Sequence, residues 1–160
     1  MPKLVIVSIP RCGRNFIANE LKKQNIHTEY QCQKTIDQLD NTADIIFAHD
    51  FNLDYYDQSR YILRLNSNTN ECLRSWFLLD VRQNRVANTK KAWLKRKKIL
   101  SKYIYEFDTK YKYVDTVWFH NILEHPNTVL AMICSIIGKP WTPVEYTKHV
   151  QRDLNIWPFV

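Results

Sequence analysis

The run Lys3–Ile9 (KLVIVSI) passes directly into Pro10-Arg11-Cys12-Gly13-Arg14-Asn15-Phe16. A continuous, β-branched apolar run with no polar alternation suits a strand buried on both faces, as in a parallel sheet. Pro10 ends it. From Arg14 to Gln24, Phe16, Ile17 and Leu21 recur at helical spacing, and Lys22 and Lys23 sit in a last turn, where cations suit the helix dipole. Strand, tight loop and helix in this order aim several backbone N–H groups and a positive helix end at one point, which makes an anion site. Gly13 lets the backbone come close, and Arg11 and Arg14 add planar cations suited to phosphate and sulfate oxygens. The G-x-x-x-x-G-K-[ST] spacing of a Walker A loop is absent.

The rest of the chain repeats the strand and helix alternation. Ile26–Tyr30, Asp44–Ala48 (DIIFA) and Tyr61–Leu65 (YILRL) read as strands, and Glu71–Leu79 as a helix after the polar turn Asn66–Asn70. Asn88–Tyr105 reads as a long basic helix and Tyr111–Phe119 (YKYVDTVWF) as a strand with partial alternation. Pro126–Ile137 is a helix with proline at a first position, an apolar stripe through Val129, Leu130, Ile133, Ile136 and Ile137, and Gly138 as its stop. These elements predict one α/β domain over 1–160, with a central, mainly parallel sheet flanked by helices.

Composition narrows the partners. The formal charge is +7, so the molecule's field attracts anions: a nucleotide, an acidic glycan or nucleic acid. Only two glycines occur, Gly13 and Gly138, where an average composition would give about eleven. Glycine is therefore expected where the backbone needs a positive φ or a close approach. The cysteines (Cys12, Cys32, Cys72, Cys134) show no C-x-x-C pair or metal-ligand spacing, so free thiols and no metal are expected. No run approaches the roughly 18 apolar residues of a membrane span, and a cytoplasmic location is expected.

At Pro10–Phe16 the sequence resembles the sulfotransferase family, whose first strand enters a P-[KR]-S-G-[ST]-[ST] loop that holds the 5′-phosphosulfate of 3′-phosphoadenosine 5′-phosphosulfate (PAPS). Cys12 stands in place of the family's Ser, and Arg14-Asn15 in place of its hydroxyl residues. A second stretch, YILRLNSNTNECLRSWF, is similar to the family's strand, turn and helix that bind the 3′-phosphate. It implies Arg64 at the strand end and, on the helix, Ser75 by local pattern or Cys72 by spacing, with Ser75 preferred. A third, FHNILEHPNTVLAMICSIIGKPWTP, resembles the family's proline-initiated late helix. The resemblance runs from Lys3 to about Pro143 and implies a fold like that of P-loop nucleoside triphosphate hydrolases. It also implies PAPS as cofactor, its desulfated product PAP, and an acceptor hydroxyl or amine.

Ligands of open α/β sheets sit beyond the carboxyl ends of strands, which places His49 and Asp50, at the end of DIIFA, near the chemistry. A neutral imidazole can take an acceptor proton at pH 7. Phe47-Ala48-His49 resembles the family's histidine base without its lysine, which makes Asp50 the reserve base and Arg11 the stand-in for the lysine at the leaving oxygen. His27, His120, His125 and His149 carry no metal-like spacing, and His125 is expected to cap the helix begun by Pro126. The basic run Lys90, Lys91, Lys95, Arg96, Lys97, Lys98 is either a solvated helix face or an electropositive wall for an acidic acceptor such as a glycan. A basic nucleic-acid-binding module, and a nucleotide-binding domain without turnover, are the competing readings.

Overall fold

A computed structural model describes residues 2–31, 36, 38–53 and 61–146, so Cys32 and His149 lie outside the described residues. The strands are β1 (Leu4–Ser8), β2 (Thr28–Gln31), β3 (Ile45–Ala48), β4 (Ile62–Asn66) and β5 (Thr116–Trp118). The helices are α1 (Arg14–Lys23), α2 (Thr69–Arg82), α3 (Lys90–Lys110), α4 (Phe119–Glu124) and α5 (Pro126–Ile137). The five strands form one sheet in the order β2-β3-β1-β4-β5, and every pairing is parallel. This is the architecture expected from the apolar runs, since β1, β3 and β4 are buried at every residue.

Strand order fixes where a ligand can bind. β1 leads through α1 to β2 at one edge, while its neighbour β3 leads across to β4 on the other side. Connections that leave adjacent strands in opposite directions open a crevice beyond their carboxyl ends. The Pro10–Gly13 loop follows β1 and His49 follows β3, so both stand at that crevice.

Several boundaries move. The helix expected over Glu71–Leu79 starts earlier because Asn68 accepts from the backbone N–H of Asn70 and Glu71, a side-chain N-cap. It runs on to a C-terminal turn in which Asn84 N–H reaches Val81 O and Arg85 N–H reaches Asp80 O. With Asn84 at φ 55° this is a Schellman closure. The strand expected over Tyr111–Phe119 shrinks to Thr116–Trp118. Tyr111 instead ends α3, its ring wholly buried against Phe51 and Phe107, and Phe119 opens the short helix α4. His125 does occupy the N-cap of α5 but makes no side-chain capping bond. Gly138 ends that helix at φ 72°, a conformation that favours glycine.

Candidate functional site

The loop after β1 is bent twice into the left-handed region, at Arg11 (φ 72°) and Gly13 (φ 87°). Alternation of this kind turns successive backbone N–H groups to one side and makes an anion-binding concavity. For Arg11 the conformation is strained, by roughly 1–3 kcal/mol, and such strain gathers at ligand sites. Gly13 is also the N-cap of α1, whose first turn has no side-chain cap and no acidic residue, so its N–H donors face the loop uncompensated. A Cβ at Gly13 would come within 3.0 Å of both Ile122 and Phe119. α4, which the sequence did not reveal, is thus the floor on which the loop rests.

Around this loop lies a cavity of about 650 Å³. Its walls include Pro10, Arg11, Gly13, Arg14, Asn15 and Phe16 from the loop and α1, His49 just after β3, and Ser75 from α2. Arg11 Nε donates to Ser75 Oγ at 2.9 Å, which ties the loop to α2. One turn earlier, Cys72 is wholly buried and its thiol faces Pro10 O at 3.2 Å. Of the two helix positions weighed, only Ser75 therefore lines the cavity. Cys12 is wholly buried as well, and its contribution to the concavity is its backbone.

His49 is held with a defined tautomer. Because Val7 pairs with Ala48, His49 emerges beside Ser8, and its Nδ1 lies 2.9 Å from Ser8 O. A carbonyl only accepts, so Nδ1 carries the proton and Nε2 a lone pair. Arg14 Nη1 donates to that lone pair at 3.2 Å. The Arg14 guanidinium also stacks 3.9 Å above the Tyr30 ring, and Tyr30 meets His49 edge-on. Burial lowers the His49 pKa below its ordinary 6.5, the Ser8 carbonyl opposes this, and the Arg14 charge lowers it further. The ring is therefore neutral at pH 7.

Two expected site residues lie elsewhere. Arg64 does not line the cavity: β4 runs two residues past it to Asn66. Its Nε donates to Thr116 Oγ1 on β5 at 2.9 Å and its Nη1 pairs with Asp108 Oδ1 on α3 at 3.3 Å. Asn66, two residues on and on the same face, also donates to Asp108. Asp50 likewise stays outside the cavity, because Lys110 Nζ holds its carboxylate at 2.5 Å and Tyr111 OH donates to it. In exchange the cavity has walls that motif reading missed: Trp76, Leu79, Arg82 and Arg85 from α2 and its closing turn, and Phe119 from α4. The only available signal was the helical spacing of Leu78, Leu79 and Arg82 from Ser75. The basic residues of α3 are mostly exposed, and Arg96 is turned inward to the wholly buried Asp80 at 2.7 Å.

No protein-family model matches the sequence, and no curated protein does. Solved structures do match in fold. The chain is similar to a sulfotransferase from Alicyclobacillus acidocaldarius, at TM-score 0.54 and 13% identity, over 91% of this chain and 86% of that one. It is also similar to the mouse sulfotransferase SULT7A1 complexed with PAP, at TM-score 0.59 and 14% identity, over 89% of this chain and 61% of that one. The fold is thus sulfotransferase-like, an α/β fold of the P-loop type with an all-parallel five-stranded sheet. Among the described residues no helix is long and apolar enough to cross a membrane.

Proposed function

We propose that the chain is a sulfotransferase that uses PAPS and a hydroxyl or amine acceptor. The observation that carries this reading is the doubly left-handed loop between β1 and α1, tied through Arg11 to Ser75. It offers converging N–H donors and two guanidinium groups in one cavity, a fit to a ligand with two anionic groups. The mouse protein of similar fold binds PAP. The residues present fit the cofactor as follows. The backbone from Cys12 to Phe16 receives the 5′ end. Ser75 and Arg11 receive the 3′-phosphate in place of Arg64, whose bonds to Thr116 and Asp108 keep it on the α3 side of the sheet.

When bound, PAPS supplies an activated sulfuryl group that passes to the acceptor and leaves the 5′-phosphate behind. The chain's own work is to position and to neutralise. Arg14 counters charge that builds on oxygens over the loop, while Arg11, held by Ser75, neutralises the 3′-phosphate. His49 Nε2 takes the acceptor proton while Ser8 O keeps Nδ1–H in place. Since Arg14 now covers Nε2, it must turn toward the bound anion before the proton can move. Asp50, tied to Lys110 and Tyr111, serves in this reading to hold α3 against β3 rather than as a base.

Calorimetric titration with PAP and with ATP tests the assignment. Binding of PAP without comparable binding of ATP is the expected result, followed by sulfuryl transfer to a screened acceptor. Salt-steep affinity for DNA or RNA with no heat from PAP would replace this reading with nucleic-acid binding.

A further inference from the structure

The cavity has a second cationic end. Ser75, Leu78, Leu79 and Arg82 recur along one face of α2, and all of them line the same cavity as the loop, as does Arg85. Seven residues separate Ser75 from Arg82, so Arg82 stands about 10 Å further along the helix axis. Between them the wall is apolar: Trp76, Leu78 and Leu79, with Phe119 from α4.

Arg85 is placed there by construction. Asn84 in the left-handed region closes α2, and the Arg85 N–H bonds back to Asp80 O at 2.9 Å. The Arg85 guanidinium also lies 3.6 Å from Asp80 Oδ1. Asp80 is itself wholly buried and paired with Arg96. One carboxylate shared between two arginines leaves positive charge at this end of the cavity, which the exposed Arg82 also lines. The helix C-terminus alone would repel an anion, and the arginines reverse that field.

We propose that Arg82 and Arg85 select the acceptor: an amphipathic molecule with an apolar or aromatic body and an anionic group, held roughly 10 Å from the loop. This rests on the sulfotransferase reading, in which the loop, Arg11 and Ser75 hold the nucleotide and leave the α2 wall beyond Ser75 to the acceptor. The acceptor hydroxyl then faces His49, its body lies on Trp76 and Leu79, and its carboxylate, phosphate or sulfate meets the two guanidinium groups.

The probes are 3-(4-hydroxyphenyl)propanoate and its uncharged amide, matched in shape and differing in one charge. Each is titrated calorimetrically into the protein with PAP present, against wild type and the variant Arg82→Gln/Arg85→Gln. The carboxylate should bind wild type about tenfold more tightly than the amide, with a preference that shrinks as salt is raised. In the variant the preference should vanish while PAP affinity stays within twofold. Equal affinity for the two probes in wild type, or a preference that survives in the variant, overturns the proposal. Loss of PAP affinity in the variant also overturns it, because the arginines would then belong to the nucleotide. If wild type binds no PAP at all, the nucleotide reading fails separately. The same pair of probes titrated without nucleotide then decides whether the arginines read an anion.

Discussion

Replacing Arg14 with Ala should raise the pKa of His49, and the repulsion that is removed follows from one distance. Protonation of Nε2 puts a cation 3.2 Å from Arg14 Nη1 and loses the hydrogen bond that it now accepts. Screened as in bulk water, two unit charges at that separation repel by about 1.3 kcal/mol, a repulsion that the charged ring escapes in the variant. Burial, the largest cause of the depression, is left in place, and the Ser8 carbonyl continues to oppose it. The ring should therefore titrate higher in the variant yet stay below its ordinary 6.5, because burial outweighs the Ser8 carbonyl. An NMR pH titration reads this directly, with His49→Gln to assign the resonance among the chain's five histidines.

The same shift has a sign in stability. The folded pKa of His49 is lowered, so between that value and the unfolded one the unfolded chain binds more protons. The neutral ring's contribution is complete above about pH 6.5 and is lost as pH falls through the window below it. Arg14→Ala narrows that window and should make thermal stability less sensitive to mild acid. In turnover, the acid limb of the pH–rate profile belongs below pH 6.5 in the parent and moves upward in the variant. A His49 titration unchanged by the substitution would show that Arg14 does not sit on Nε2 in solution, and the reasoning would fail at its first step.

Other substitutions test separate parts of the site. Gly13→Ala forces an L-residue into φ 87° and brings a methyl group within 3.0 Å of Phe119 and Ile122. It should cost about 1–2 kcal/mol from the backbone alone, seen as a lower denaturation midpoint with PAP affinity lost in parallel. Arg64→Ala should leave PAP affinity within twofold yet lower thermal stability, because Arg64 holds Thr116 and Asp108 rather than a wall of the cavity. Ser75→Ala should do the reverse, weakening PAP by about 0.5–1.5 kcal/mol with little change in melting. Asp80→Ala removes the wholly buried acceptor of Arg96 and should cost about 1.5–3 kcal/mol in denaturant unfolding. A loss under 0.5 kcal/mol would mean that Arg96 is satisfied by water.

The opening strand, loop and first helix were legible because each signal there is local. β-Branched continuity marks a buried strand, proline and glycine mark the loop, and apolar spacing marks α1. YKYVDTVWF failed for the opposite reason. Its partial alternation mixes three elements: Tyr111 at the end of α3, wholly buried; Tyr113, 89% exposed in the turn; and Phe119, buried at the start of α4. Nothing within nine letters tells that the ring of Tyr111 is claimed by Phe51 and Phe107, which are distant in sequence or on the preceding helix.

Arg64 illustrates a finer limit. The sequence locates it in a strand, but its role depends on where that strand stops, and β4 continues to Asn66. A residue inside a strand is committed to one face by the twofold repeat, and here Arg64 and Asn66 both meet Asp108 from α3. Ser75 and Cys72 differ by the same kind of small step. They lie almost one helical turn apart, and that turn separates a thiol buried under Pro10 from a hydroxyl beside Arg11. The far end of the cavity was the least legible part. It depends on a left-handed Asn84 that folds Arg85 back over Asp80, and an asparagine after a helix marks a stop without telling where the next side chain will point. The loop proposed to hold the anion can thus be read from a short motif. The residues that would choose a partner for it are set by how α2 ends.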